Sequence, residues 1–202
     1  MKRILVACVA ACCLTSVSAQ VALDTEEARA REVVERVCQN CHGRTGRATT
    51  SQFPKLAGQN VEYLTKQMFN FQSHARRSVL MEEQMAGLTG NTIEALARYF
   101  SRQKSVPEVL EDRLLADRGR RVYFEGNPKT GVSACVSCHG PKAYGAQMLP
   151  RLAGQHAAYM EGQLRAFVER SRSNDRYKMH SVARSLTTEE IRAVSYYLSG
   201  LE

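Results

Sequence analysis

Apolar residues in this chain recur at helical spacing. Leu64, Met68 and Phe71 fall at i, i+4 and i+7, and Met160, Leu164 and Phe167 repeat the pattern in the second half. A second pair of stripes follows, Ile93, Leu96 and Phe100 in the first half and Ile191, Val194 and Leu198 in the second. Thr187 with Glu190 forms a capping box that opens the last of these helices. Two more helices are predicted, over Thr25 to Val37 and over Asp112 to Phe124. Neither is preceded by the alternating pattern of a strand, so the expected class is all-α.

The same comparison exposes a duplication. Phe53-Pro54-Lys55-Leu56-Ala57-Gly58-Gln59 recurs as Leu149-Pro150-Arg151-Leu152-Ala153-Gly154-Gln155, and Tyr63 to Phe71 matches Tyr159 to Phe167. Leu88-Thr89 and Leu186-Thr187 each stand just before a final helix. The stretch Ser101 to Glu111, with Pro107, reads as the linker, giving expected domains over 20–104 and 105–202. Each is near the size at which a protein core alone is marginal.

The chain opens differently. Lys2 and Arg3 precede the apolar run Ile4 to Leu14, which is too short to span a bilayer, and Val17-Ser18-Ala19 has the small residues of a cleavage site. This predicts a secretory signal over 1–19 and a mature chain from residue 20. Val9-Ala10-Ala11-Cys12 also resembles a lipidation box, which would make the protein an anchored one. No later apolar run has membrane-spanning length.

Composition adds limits. The 202 residues are 44% hydrophobic and 24% charged, a globular make-up that excludes disordered and collagen-like chains. The net charge of +8 falls to +6 without Lys2 and Arg3, +3 in each half with no polycationic arm, so an exported chain of this kind is not expected to bind nucleic acid.

Of seven cysteines, three fall in the export segment, and the other four form two identical patterns. These are Cys38-Gln39-Asn40-Cys41-His42 and Cys135-Val136-Ser137-Cys138-His139. Cys-x-x-Cys-His is the attachment signature of c-type haem. Two thiols add to the two vinyl groups of one porphyrin, and the next residue presents its imidazole to the iron. A zinc site needs its cysteine pairs roughly 15–20 residues apart, whereas Cys41 and Cys135 lie almost half the chain apart. A thioredoxin-like pair needs a βαβ context, and plain disulfides leave the two histidines unexplained. Two covalent haem c groups are therefore expected, and each would supply an apolar centre to its half.

An iron held on one face by His42 or His139 needs a ligand on the other. Met81 and Met179 stand at matching distances before Leu88 and Leu186, and no other methionine pair does so. Met85 faces Ala183 in the repeat, and Met68 and Met160 lie on apolar helical faces, as core methionines do. Thioether ligation favours ferrous iron and raises the potential. With both axial positions filled there is no place for a substrate, which points to electron transfer rather than catalysis. His74 and His156 have no counterpart in the other half and read as solvated or structural, while His180, beside Met179, is a rival ligand. The carbonyl of Pro54 or Pro150 would accept a hydrogen bond from a proximal imidazole, or the run would be a simple turn.

Taken together, the two Cys-x-x-Cys-His motifs, the two Pro-[Lys/Arg]-Leu-Ala-Gly-Gln runs and the two late methionines resemble the cytochrome c4 family over essentially the whole mature chain. The resemblance implies two tandem class I cytochrome c domains. It implies Cys38, Cys41, His42 and Met81 for one haem and Cys135, Cys138, His139 and Met179 for the other, with the Pro54 and Pro150 carbonyls behind the histidines. It further implies a periplasmic carrier between a quinol:cytochrome c oxidoreductase and a terminal haem-copper oxidase, peripheral association with the inner membrane, and haems facing across a pseudo-two-fold. The segment between Phe71 and Met81 is shorter than that family leads one to expect. Two rivals remain: a cytochrome subunit of a dehydrogenase, such as a sulfide-oxidising flavocytochrome, and a two-haem peroxidase. Arg76 and Arg77, or Arg170, Arg172 and Arg176, are candidates for steering an acidic redox partner.

Overall fold

The computed structural model describes residues 24–202; the expected export segment, residues 1–19, lies outside them. Among the described residues the regular structure is helical, apart from two isolated bridges, Asn127 to Val132 and Ala146 to Leu149. None of these helices is long and apolar enough to cross a membrane.

The first half opens with α1, a helical run over residues 24–42, and continues with α2 (Val61–Gln72), α3 (Val79–Met85) and α4 (Gly90–Ser101). The second half holds α5 (Arg113–Glu125), α6 (Val136–His139), α7 (Ala157–Val168), α8 (Lys178–Ala183) and α9 (Thr188–Ser199). Each half has its own core. Ala30 and Val34 of α1 pack with Leu64, Met68 and Phe71 of α2, Met85 of α3, and Ile93, Leu96 and Phe100 of α4. Val122 and Tyr123 of α5 pack with Met160 of α7 and with Val194 and Leu198 of α9. The stripes read from the sequence are these buried faces, and the capping box closes as expected, Thr187 Oγ1 accepting from the Glu190 amide while Glu190 receives the Thr187 amide.

The halves differ where each enters its cysteine motif. In α1 the chain never leaves the helix: Val34–Cys38 is wound as a π-helix and Gln39–His42 completes the last turn. In the second half α5 stops at Gly126, and a turn closed by the Asn127–Val132 bridge separates it from Cys135.

A reciprocal clasp joins the halves. The Gln59 side chain donates to the Arg151 carbonyl at 2.8 Å and accepts from the Arg151 amide at 2.7 Å. Gln155 does the same to Lys55, at 2.8 and 2.9 Å. Each amide thus pairs with backbone as a strand neighbour would, satisfying groups that burial would otherwise leave costly.

The linker, residues 102–112, is tied down along its length. Glu108 donates its amide to the Ser199 carbonyl at 2.8 Å, and the Tyr196 hydroxyl accepts from the Glu111 and Asp112 amides. His156, whose structural reading holds, is buried at this junction. Its Nε2 meets the Ala48 carbonyl of the first half at 2.8 Å and its Nδ1 meets Glu108 Oε1 at 2.6 Å. Partial burial raises the Glu108 pKa, but bonding to His156, Ser199 and the Ala157 amide, with the nearby Lys55 charge, outweighs this and holds it below 4.5. A depressed carboxyl stabilises the fold above its unfolded pKa and loses that contribution as pH falls through its folded value. Glu108→Gln is therefore expected to lower the melting temperature at pH 7. The difference from wild type should shrink as pH drops below 4.5. Parallel melting curves across that range would refute it.

Candidate functional site

His42 ends α1 and His139 ends α6, and each is followed by a glycine at positive φ, Gly43 at 72° and Gly140 at 76°. The turn sends the chain back beneath the imidazole, so that the Pro54 and Pro150 carbonyls meet it. His42 Nδ1–H donates to Pro54 O at 2.9 Å, and His139 Nδ1–H to Pro150 O at 3.1 Å. The open choice between a supporting carbonyl and a simple turn is thus resolved in favour of the carbonyl. Both histidines are buried, at 7% and 6% exposure. Burial lowers both pKa values below 6.5, against the opposing pull of the proline carbonyls. Each imidazole is held neutral at pH 7 with its Nε2 lone pair turned away from the bonded carbonyl, the state needed to ligate a metal. Phe53 meets the His42 ring edge-on, with centroids 6.1 Å apart.

Cys38, Cys41, Cys135 and Cys138 form no disulfides. In each pair the two-residue spacer is part of a helical turn, keeping both sulfurs and the following imidazole on neighbouring faces. Burial pushes the Cys38 and Cys135 thiols up to about 11. Among the described residues no three His, Cys, Asp or Glu side chains gather to hold a bare ion. A donor set of two thiols and one pre-oriented imidazole, repeated once per half, fits a covalently attached haem.

Met81 and Met179 both stand in the first turn of a short helix, α3 and α8, that leads to the half's last helix. Met81 packs against the first core, as does Cys38, and Met179 is half-buried. Side chains cap both methionine amides: Ser78 Oγ accepts from Met81 N at 3.5 Å and Asp175 Oδ2 from Met179 N at 2.6 Å. Met68, Met85 and Met160 are core residues. Both ring nitrogens of His180 are engaged: Nδ1–H donates to the Phe167 carbonyl at 2.9 Å, and Nε2 accepts from Arg170 Nε at 3.2 Å. The connection before α3, residues 73–78, is shorter than the one before α8, residues 169–177.

Two of the arginines expected to steer a partner do something else. Arg76 and Arg172 are half-buried between the halves, and their guanidinium groups are engaged across the junction. A planar fork of donors is drawn to fixed acceptors, and here Tyr159 and Gln163 supply them to Arg76, and Tyr63 and Gln67 to Arg172. Arg77, Arg170 and Arg176 remain exposed. Sequence reasoning missed this network and the glutamine clasp, although Gln59/Gln155, Tyr63/Tyr159, Gln67/Gln163 and Arg76/Arg172 are all polar residues kept in register by the repeat.

Comparison with known proteins agrees with this geometry. A family profile described as "Cytochrome c" matches residues 116–202, and one described as "Cytochrome C oxidase, cbb3-type, subunit III" matches residues 25–100. The chain is 40% identical to cytochrome c4 of Thiocapsa roseopersicina over 82% of this chain and 87% of that one. It is 35% identical to a thiosulfate dehydrogenase electron acceptor of Thiomonas intermedia, over 80% of this chain and 77% of the relative. The crystal structure of reduced recombinant cytochrome c4 from Pseudomonas stutzeri superposes with a TM-score of 0.80 at 34% identity, covering 89% of this chain and 98% of that one. Two helical halves, each with a profile match and a Cys-x-x-Cys-His turn, account for two covalently bound haem c groups and for electron exchange with redox protein partners. The chain belongs to the cytochrome c4 family of two-haem class I electron-transfer cytochromes.

Proposed function

We propose that the protein is exported to the periplasm and carries single electrons there through two haems of His/Met ligation. Cys38 and Cys41 would hold the first haem, with His42 and Met81 supplying nitrogen and sulfur to its iron. Cys135 and Cys138 would hold the second, with His139 and Met179 in the same roles. The observation that carries this reading is the pair of buried imidazoles, each bonded through Nδ1 to a proline carbonyl and left with one free nitrogen. Bound there, haem supplies an iron that holds one electron at a time. His42 and His139 would donate to that iron through Nε2, while the proline carbonyls fix their tautomer and raise their basicity. His180, with both nitrogens engaged, does not compete with Met179.

The resemblance favours electron flow from a quinol:cytochrome c oxidoreductase to a terminal oxidase, with peripheral contact at the inner membrane. Val79 and Leu80 are 71% and 59% exposed beside Met81, and Tyr177 is exposed near Met179. Such small apolar surfaces suit the brief contacts of redox carriers. A second reading, service to one dehydrogenase, is favoured by the similarity to a thiosulfate dehydrogenase electron acceptor. Comparing reduction of the holoprotein by a quinol-driven oxidoreductase and by a thiosulfate dehydrogenase separates the two.

Potentiometric titration with visible spectra tests the ligand set. Two low-spin haems per chain and the weak charge-transfer band of ferric iron bound to sulfur are expected. Met81→Ala and Met179→Ala should each remove half of that band and lower one potential. A high-spin haem in the wild type, or a substitution without effect on the band, overturns the assignment.

A further inference from the structure

We infer that each half of the molecule holds in place, from its own helix, the segment that carries the other half's methionine. Arg76 and Arg172 are the positioning residues, with Tyr159 and Tyr63 their partners across the junction. The inference rests on the ligand reading proposed above and goes beyond it.

Arg76 lies in the short connection that leads to Met81. Its backbone amide closes onto the Asn70 carbonyl at 2.9 Å, and its guanidinium lies over the Phe71 ring, 4.7 Å from the centroid. One nitrogen donates to Gln67 Oε1 of its own half at 2.9 Å. The other donates to the Tyr159 hydroxyl at 2.9 Å and Gln163 Oε1 at 2.8 Å, both on α7 of the second half. Two residues on, Ser78 caps α3 at the Met81 amide.

The arrangement repeats with the halves exchanged. The Arg172 amide closes onto the Ala166 carbonyl at 3.0 Å, and its guanidinium lies over Phe167 at 4.6 Å. It donates to Gln163 Oε1 of its own half at 2.6 Å and to the Tyr63 hydroxyl of α2 at 2.9 Å. The longer segment beyond it gains two more ties to α2: Lys66 Nζ donates to the Asn174 carbonyl at 2.6 Å, and Asn174 Nδ2 donates to Gln67 Oε1 at 2.9 Å. The next residue, Asp175, caps the Met179 amide.

The consequence is specific. A methionine sulfur leaves an iron when the segment behind it loosens, and the brace against loosening belongs to the opposite half. Tyr159 bonds only to Arg76 in this network, whereas Tyr63 bonds to Arg172 and also interacts with Arg76 of its own half. Tyr159→Phe therefore removes one crossed contact and leaves the ring in place, and Tyr63→Phe removes the crossed contact to Arg172 together with the interaction with Arg76. A lost hydrogen bond to a charged donor corresponds to on the order of tenfold in an equilibrium constant.

The test uses imidazole, which displaces methionine from ferric haem, titrated into the oxidised holoprotein while the charge-transfer band is followed. Met179→His occupies the second iron so that only the first site titrates, and Met81→His isolates the second. Tyr159→Phe is expected to lower the apparent imidazole Kd about tenfold at the first site and to leave the second unchanged. Tyr63→Phe should lower the Kd at the second site by a similar factor. If Tyr159→Phe acts on the second site, or if either substitution leaves the opposite half's site unchanged, the crossed bracing is wrong. If Met81→His and Met179→His leave the band of the wild type intact, it is the ligand reading that fails.

Discussion

Gly119→Ala is expected to separate the first and last helices of the second half and to cost about 3 kcal/mol. A β-carbon at this position in α5 would stand 2.0 Å from the Ala193 carbonyl oxygen and 2.6 Å from its carbon, with Tyr197 Cβ also at 2.6 Å. These are backbone atoms and the root of a side chain, so no rotamer change makes room. The helices must part, and with them the contact of Val122 and Tyr123 with Val194 and Leu198. For a half of this size the melting temperature of the holoprotein should fall by roughly 10–20 °C. Gly162→Ala is the control. It is an exposed position in α7 with nothing within 4 Å of the added carbon, so helix propensity alone should stabilise the protein slightly. A Gly119→Ala protein that melts with the wild type would mean that α5 and α9 do not cross this closely.

Substituting both cysteines of one motif is expected to remove one haem and leave the other. In Cys135→Ser with Cys138→Ser, the intact mass should show a single haem, and reduced haem absorbance per chain should be halved. The cost reaches beyond the missing group. Tyr123, Met160 and Leu198 pack around Cys135, and without a porphyrin the second core loses the apolar body it is built to meet. Two haems retained by the doubly substituted chain would break the link between motif and cofactor.

Periodicity and repetition made most of the fold legible. The faces of α2, α4, α7 and α9, the capping box at Thr187 and the core roles of Met68 and Met160 follow from side-chain spacing, because burying one stripe leaves few ways to orient a helix. The π-helical turn at Val34–Cys38 did not, since one extra residue per turn changes backbone bonding without changing composition. Arg76 and Arg172 were misread for a different reason. A charged residue in a polar connection looks solvated until the other half is brought against it. The acceptors that claim these guanidiniums, Tyr159 and Tyr63, are remote in sequence. Only the register of the repeat hinted at the pairing.

The clasp at Gln59 and Gln155 has a consequence for origins. Every contact in it occurs twice with the halves exchanged, and the same is true of the two arginines and two tyrosines. Such reciprocity is the property of an isologous dimer, in which a patch is complementary to itself. A one-haem chain with a single glutamine, arginine and tyrosine could satisfy these bonds by pairing with its own copy. Joining two such chains in tandem would then have required only a linker, because the surface that unites the halves would already have existed in the ancestor.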